Sequence, residues 1–250
     1  TDSIYMIGSG KWGLGFTHPL DCNVFLIKTN AGCIMIDSGV NLEPQRIVAV
    51  MEAHGVKPSD VKILLLTHWH GDHAGGAAFF QRLTGCQAYA PAKEAAAIAA
   101  GDEQANGVGP GKGGLYPADY IFEGCPVSGL EDGQSVSLGN VSLTGYSVPG
   151  HSLEDMVYYG AIDGKQCLFT GDSVFAAGQV LLQSLWDASL HPYKVATTKI
   201  AALKVDGLFP GHGVFNLENG GDHITACYET FNSVLVPPPL YYVFITRGNT

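Results

Sequence analysis

Three histidines and one aspartate fall within six positions of the stretch Thr67-His68-Trp69-His70-Gly71-Asp72-His73-Ala74-Gly75-Gly76. They follow directly on the run Val61 to Leu66, in which only Lys62 is charged. That run reads as a buried strand, and the cluster as the passage from it into a Gly/Ala-rich helix. Alternate residues of an extended chain point the same way, so His68 and His70 can converge on one point. Asp72 and His73 begin the turn into the helix and can aim at a second point nearby. Neutral imidazole with carboxylate is a ligand set suited to zinc, and also to iron or manganese. A lone histidine here would be read as a packed side chain, but four ligand-type residues at H-x-H-x-D-H spacing favour a metal.

This spacing resembles the signature of the metallo-β-lactamase superfamily, which continues with an isolated His, Asp and His further along. Matching positions occur in that order, each at the end of an apolar run and beside glycine. They are His151 in Val148-Pro149-Gly150-His151-Ser152, Asp172 in Phe169-Thr170-Gly171-Asp172-Ser173, and His212 in Pro210-Gly211-His212-Gly213. The resemblance implies an α/β fold, the four-layer αββα sandwich, with the metals at the sheet edge. It implies two zinc ions per chain, with His68, His70 and His151 on the first and Asp72, His73 and His212 on the second. Asp172 would bridge them. A hydroxide held between the ions and oriented by Asp72 would attack an ester-type bond, a lactone or carboxylic ester first and a thioester next. Ile36-Asp37-Ser38-Gly39 is similar to the superfamily's Ile-Asp-(Thr/Ser)-Gly turn, which makes Asp37 a support behind the ligands.

Asp172 also separates the branches of the superfamily. Zinc β-lactamases generally have cysteine or serine at this point, whereas Gly171-Asp172-Ser173 looks more like the thioesterase, lactonase and phosphodiesterase branches. Hydrolysis of a β-lactam or a phosphoester stands as an alternative. So do a mononuclear iron persulfide dioxygenase and a metal-binding protein without turnover. Some lactonases use a tyrosine three places after the bridging aspartate, where this chain has Phe175.

Candidate substrate-pocket residues are Trp12 and Phe16 in the loop Gly8 to Asp21, Tyr116, and Phe175 and Trp186 after the bridging aspartate. Gly8 to Gly13 spells G-x-G-x-x-G, but a dinucleotide site needs a helix to follow, and Gly15 and Pro19 interrupt instead. Gly101 to Pro117, rich in glycine, is expected to be a mobile lid or a plain surface loop.

The elements that must position these residues read as strands at 3–7, 23–29, 33–36, 61–66, 87–90, 135–138, 141–148, 156–161, 166–169 and 208–209. Helices are expected at 47–54, 91–100, 192–205 and 224–235. A chain of 250 residues, 46% hydrophobic and 14% charged, suits one domain over 1–250 with a large core. Six scattered cysteines read as buried free thiols. A net charge of −10 with 13 Lys and Arg gives no basic footprint for nucleic acid. No apolar span is long enough to cross a bilayer. The expected partner is a small-molecule substrate. The apolar tail Pro237 to Ile245 is expected to pack on its own core or to form a homodimer contact. The chain opens at Thr1 without an initiator Met, as it would after removal of a leader, and localisation is open.

Overall fold

The computed structural model describes residues 2–240. Two sheets form. The first contains β1 (Ile4–Gly8), β2 (Val24–Thr29), β3 (Gly32–Ile36), β4 (Val61–Leu65), β5 (Gln87–Pro91) and β6 (Ser128–Leu130), side by side in that order. The second contains β7 (Ser135–Leu138), β8 (Val141–Ser147), β9 (Met156–Ile162), β10 (Lys165–Gly171) and β11 (Gly207–Pro210), ordered β11-β10-β9-β8-β7. The β1-β2-β3 pairs are antiparallel, and β3 to β6 run parallel. In the second sheet only the β10–β11 pair is parallel.

The alternation of side chains along the strands decides the layers. Val24 and Leu26 of β2 and Cys33 and Met35 of β3 face the helices outside the first sheet. Their neighbours Phe25, Ile27, Ile34 and Ile36 face the other way, into a core shared with Tyr158, Cys167, Phe169 and Phe209 of the second sheet. Val157, Leu168 and Leu208 face a third core, under α6 (Leu190–Ala201) and α7 (Gly220–Asn232). The helices α1 (Pro44–Ala53), α2 (Gly71–Ala74), α3 (Ala77–Thr84) and α4 (Ala92–Ala100) cover the first sheet. Three cores between four layers make the αββα arrangement. In α1, Pro44 opens the first turn and Ile47 and Met51, four apart, are its fully buried contacts.

Some expected boundaries move. The last helix was expected over 224–235, but α7 ends at Asn232 because Val234 adopts φ 64°, and Leu235 is 64% exposed. The helix expected over 192–205 is α6 at Leu190–Ala201, with Pro192 inside its first turn. β6 has only three residues and no apolar run to announce it. The stretch from Gly101 to Pro117 includes a short helix, α5 (Val108–Gly111), and buries Asn106, Val108 and Tyr116, so it is a packed wall rather than a plain surface loop. All six cysteines are buried and free, as expected.

Among the described residues no helix is long and apolar enough to cross a membrane. The apolar tail lies partly outside the described residues, from Tyr241 onward. Its described part pairs with its own chain: Val180 N–H donates to Pro238 O at 3.1 Å, and Leu240 N–H to Val180 O at 2.9 Å.

The inter-sheet core joins the two sheets through Phe25, Phe169 and Phe209, whose rings lie 4.9–5.7 Å apart. Phe169→Ala is expected to cost about 3–5 kcal/mol in denaturant unfolding. A cost below about 1 kcal/mol would mean that the two sheets do not depend on this contact.

Candidate metal centre

The clustered residues all leave the ends of strands on one edge of the two sheets. His68 and His70 follow β4, and Asp72 and His73 sit on α2. His151 lies between β8 and β9, Asp172 directly after β10, and His212 two residues after β11. The chains must approach closely there. A Cβ on Gly211 would stand 2.6 Å from both Asp172 Oδ1 and His73 Cε1, so only glycine fits beside the cluster. Gly171 has φ 49°, and a Cβ there would lie 2.6 Å from Thr67 Oγ1.

The side chains form two triads around Asp172. His68, His70 and His151 bring one nitrogen each within 4.8 Å of one another, as do the ligand atoms of Asp72, His73 and His212. Asp172 Oδ1 is 3.3 Å from His73 Nε2, and its Oδ2 is 3.4 Å from His151 Nε2 and 3.5 Å from His212 Nε2. Asp72 Oδ2 lies 3.2 Å from His212 Nε2.

Outer partners fix which nitrogen faces inward. His73 Nδ1 donates to Asp37 Oδ2 at 2.9 Å and His151 Nδ1 to Leu181 O at 2.8 Å, because a carboxylate and a carbonyl can only accept. Both Nε2 lone pairs are therefore aimed into the cluster. His70 is turned round: its Nε2 faces Asp187 Oδ2 at 3.4 Å, and its Nδ1 lies 2.9 Å from His151 Nε2. Asp37 is itself held at φ 59° and accepts from Thr67 N–H at 2.8 Å, so the residue expected to support the ligands also ties β3 to the start of the motif. Asp187 is a second support that no motif in the sequence singles out. Its Oδ2 accepts Trp69 Nε1–H at 2.8 Å.

The donor set fits a divalent cation. His68 Nε2, His73 Nε2 and Asp172 Oδ1 are buried with no hydrogen-bond partner, a costly state for polar atoms unless an ion takes their lone pairs. Burial first, then the neighbouring imidazoles, holds His68 well below the ordinary histidine pKa, and burial lowers His151 as well. Burial opposes charge on Asp72, but His73 and His212 outweigh it and bring its pKa down to about 2. On Asp172 the same opposition is overcome by His212, His73 and His151. Neutral imidazoles and ionised carboxylates are the forms a metal takes. His73 runs the other way: burial would lower its pKa, but the carboxylates of Asp172, Asp37 and Asp72 outweigh it. A site that draws a proton so strongly draws a cation for the same electrostatic reason. Burial pushes the Cys22 thiol up to about 12, so it stays protonated beside His73.

A cleft of about 260 Å³ opens onto the cluster, lined on the metal side by His70 and Asp72. Its walls come from Asn106, Pro110, Leu115 and Tyr116 on one loop and from Gln183 and Leu185 on another. Of the candidate pocket residues, Tyr116 lines this cleft, with its hydroxyl 3.4 Å from Asp72 Oδ1. Trp12 sits edge-on to His212 with ring centroids 5.8 Å apart and does not line the cleft. Phe16 is 37% exposed and Trp186 62% exposed, and neither lines the cleft. Phe175 is fully buried in the fold, because it follows the bridging position into the core. Trp186 does other work: its Nε1–H donates to Ala105 O at 3.0 Å, joining the two walls.

Comparison with known proteins gives the class. The family model described as the metallo-beta-lactamase superfamily matches residues 18–212, and the chain belongs to that superfamily. Its His/Asp cluster is suited to a divalent metal. Similar proteins include the lactamase-like protein nscB of Aspergillus fumigatus, 28% identical over 66% of this chain and 41% of that protein. The thioesterase pkgB of Emericella nidulans is 27% identical over 76% of this chain and 45% of its own length. The chain spans about half the length of such relatives. Among solved structures, the subclass B3 metallo-beta-lactamase BJP-1 of Bradyrhizobium japonicum is 24% identical with a TM-score of 0.67, over 85% of this chain and 86% of that one. Native FEZ-1 of Legionella gormanii is 21% identical with a TM-score of 0.69, over 93% and 95%. At these identities the likeness is one of fold.

Removing Asp187 frees the outer nitrogen of His70 while leaving the cluster itself intact. Asp187→Ala is expected to weaken zinc binding about 10–100-fold in competition with a chromophoric chelator, with the circular dichroism unchanged. An unchanged affinity would show that His70 is held without it.

Proposed function

We propose that the chain is a dinuclear zinc hydrolase of an ester-type bond, a lactone, carboxylic ester or thioester. The observation that carries this reading is the double triad: His68, His70 and His151 on one side, Asp72, His73 and His212 on the other, with Asp172 within 3.3–3.5 Å of members of both. Bound there, two zinc ions would polarise a carbonyl and acidify water to a pKa of ~7. The protein does the rest. The histidines and Asp172 hold the charge, and Asp72, at the cleft edge, orients the attacking water towards the substrate. Asp37, Asp187 and Leu181 O keep the imidazoles from turning.

Tyr116 supplies a hydrogen bond from the cleft wall. Burial, then Asp72 and Tyr120, push its pKa well above the ordinary phenol value, so it stays neutral. Its hydroxyl is only loosely engaged by Asp72 at 3.4 Å, long for an O–H···O bond, so the proton is available to an oxygen that gains charge. Tyr120 stacks behind it at 5.2 Å and is itself anchored to Val40 O at 2.8 Å. Within the ester-type bonds, a thioester is the first to test, because the similar Emericella nidulans protein is named a thioesterase.

Protein purified without added metal is expected to hold close to two zinc per chain, to lose hydrolysis on chelation and to regain it with zinc. About one iron per chain with oxygen uptake on a persulfide would replace the hydrolase reading with a dioxygenase. Alanine at His70 or Asp172 should abolish hydrolysis across an ester, lactone and thioester panel while the fold persists; full activity in either variant would sink the assignment. Tyr116→Phe should lower kcat about 10²-fold with metal content unchanged. A kcat within about twofold of the wild type would remove Tyr116 from the reaction.

A further inference from the structure

Behind the ligands, the turn between β8 and β9 holds a second polar cluster, which the proposed reaction does not use. Glu94, on α4, is fully buried. Its Oε1 accepts Glu154 N–H at 3.0 Å and lies 2.8 Å from Ser152 Oγ, while its Oε2 is buried with no hydrogen-bond partner. Ser152 Oγ is also 2.8 Å from Asp155 Oδ1. Asp155 Oδ2 accepts His151 N–H at 2.9 Å and Ser152 N–H at 2.7 Å, which shapes the turn that presents His151.

The valences decide the protonation. A serine hydroxyl has one proton and cannot donate to two carboxylates at once. Two ionised carboxylates on either side of it would also repel in a buried space, so one of them holds a proton. Asp155 is the better served as an anion: burial raises its pKa, but one of its oxygens accepts two backbone N–H groups. Glu94 has one backbone N–H for two oxygens, and the charged groups facing it, Asp155 and Asp187, are both acids. Its neighbour Lys93 is turned outward to Glu154 Oε1 at 2.9 Å.

We propose that Glu94 is a neutral carboxylic acid that donates to Ser152 Oγ, and that Ser152 donates in turn to ionised Asp155, a positioning relay for the turn carrying His151. Burial, and next to it the charge of Asp155, push the Glu94 pKa well above the usual carboxyl range, in agreement with the geometry. The relay consists of the chain's own hydrogen bonds and holds whichever bond the enzyme cleaves.

Infrared spectroscopy of the full chain as purified tests it at neutral pH. A carboxylic-acid C=O band is expected in the wild type, absent in Glu94→Gln, present in Asp155→Asn, and shifted in Ser152→Ala, where the acid loses the acceptor of its proton. Ser152→Ala should also weaken zinc binding about 10–100-fold, as loss of an outer partner does. A band lost in Asp155→Asn and kept in Glu94→Gln would move the proton to Asp155, and no acid band at all would mean that both groups are ionised. Either result overturns the proposal. An unchanged zinc affinity in Ser152→Ala overturns the positioning role, even with the proton where it is placed. None of these readouts measures hydrolysis, so they stand apart from failure of the ester-hydrolase reading.

Discussion

Five imidazoles and two carboxylates face one another in a space where His68, His70, His73, His151, Asp172 and His212 are all 3% exposed or less. Their mutual electrostatics constrain everything around them. Nitrogen lone pairs and ionised oxygens packed this tightly repel unless positive charge lies among them, and each ring would turn away if nothing held it. Four of the five rings meet a polar group from outside. Asp37 fixes His73, Leu181 O fixes His151, Asp187 faces His70, and Thr67 Oγ1 lies 3.0 Å from His68 Nδ1. Every outer partner that fixes an orientation in this way determines which nitrogen is left for a metal.

That requirement accounts for the backbone as much as for the side chains. Ligands arrive from four strand ends, so the two sheets must register against each other to within hydrogen-bond distances. The inter-sheet phenylalanine cluster lies on β2, β10 and β11, and Asp172 and His212 lie just beyond the ends of β10 and β11. Gly211 lets one chain pass against Asp172 and His73 with no room for a methyl group. Asp37 takes a left-handed conformation that costs of order 1 kcal/mol or more and is retained where a carboxylate must reach both Thr67 and His73.

The sequence made legible what is local or strongly periodic. H-x-H-x-D-H lies in six consecutive positions, and its strand-to-helix setting follows from the aliphatic run before it. The near-continuous apolar runs of β2, β3 and β4 announced strands buried on both faces. His151, Asp172 and His212 are isolated in sequence, and they became readable through the resemblance rather than through spacing. Asp187 and Glu94 were not legible, since their roles arise from contacts 117 and 58 positions away, to His70 and Ser152. Phe175 pointed the wrong way for a similar reason. An apolar residue next to a ligand is as suited to the core as to a cleft, and only the fold decides between them.

The cleft shows why the motif cannot name the substrate. Its walls are two loops outside the signature, and they are bound to each other and to the cluster. Trp186 ties residue 105 to the loop that carries Asp187, and Trp69, between His68 and His70, both packs on Trp186 at 5.7 Å and donates to Asp187. Leu185 fills the space beside Gly107, where a Cβ would meet it at 2.9 Å. A change in either loop therefore alters the shape offered to the substrate and, through Asp187, the setting of His70. The shape of the cleft and the setting of His70 are coupled in this chain, so neither wall is a separate module.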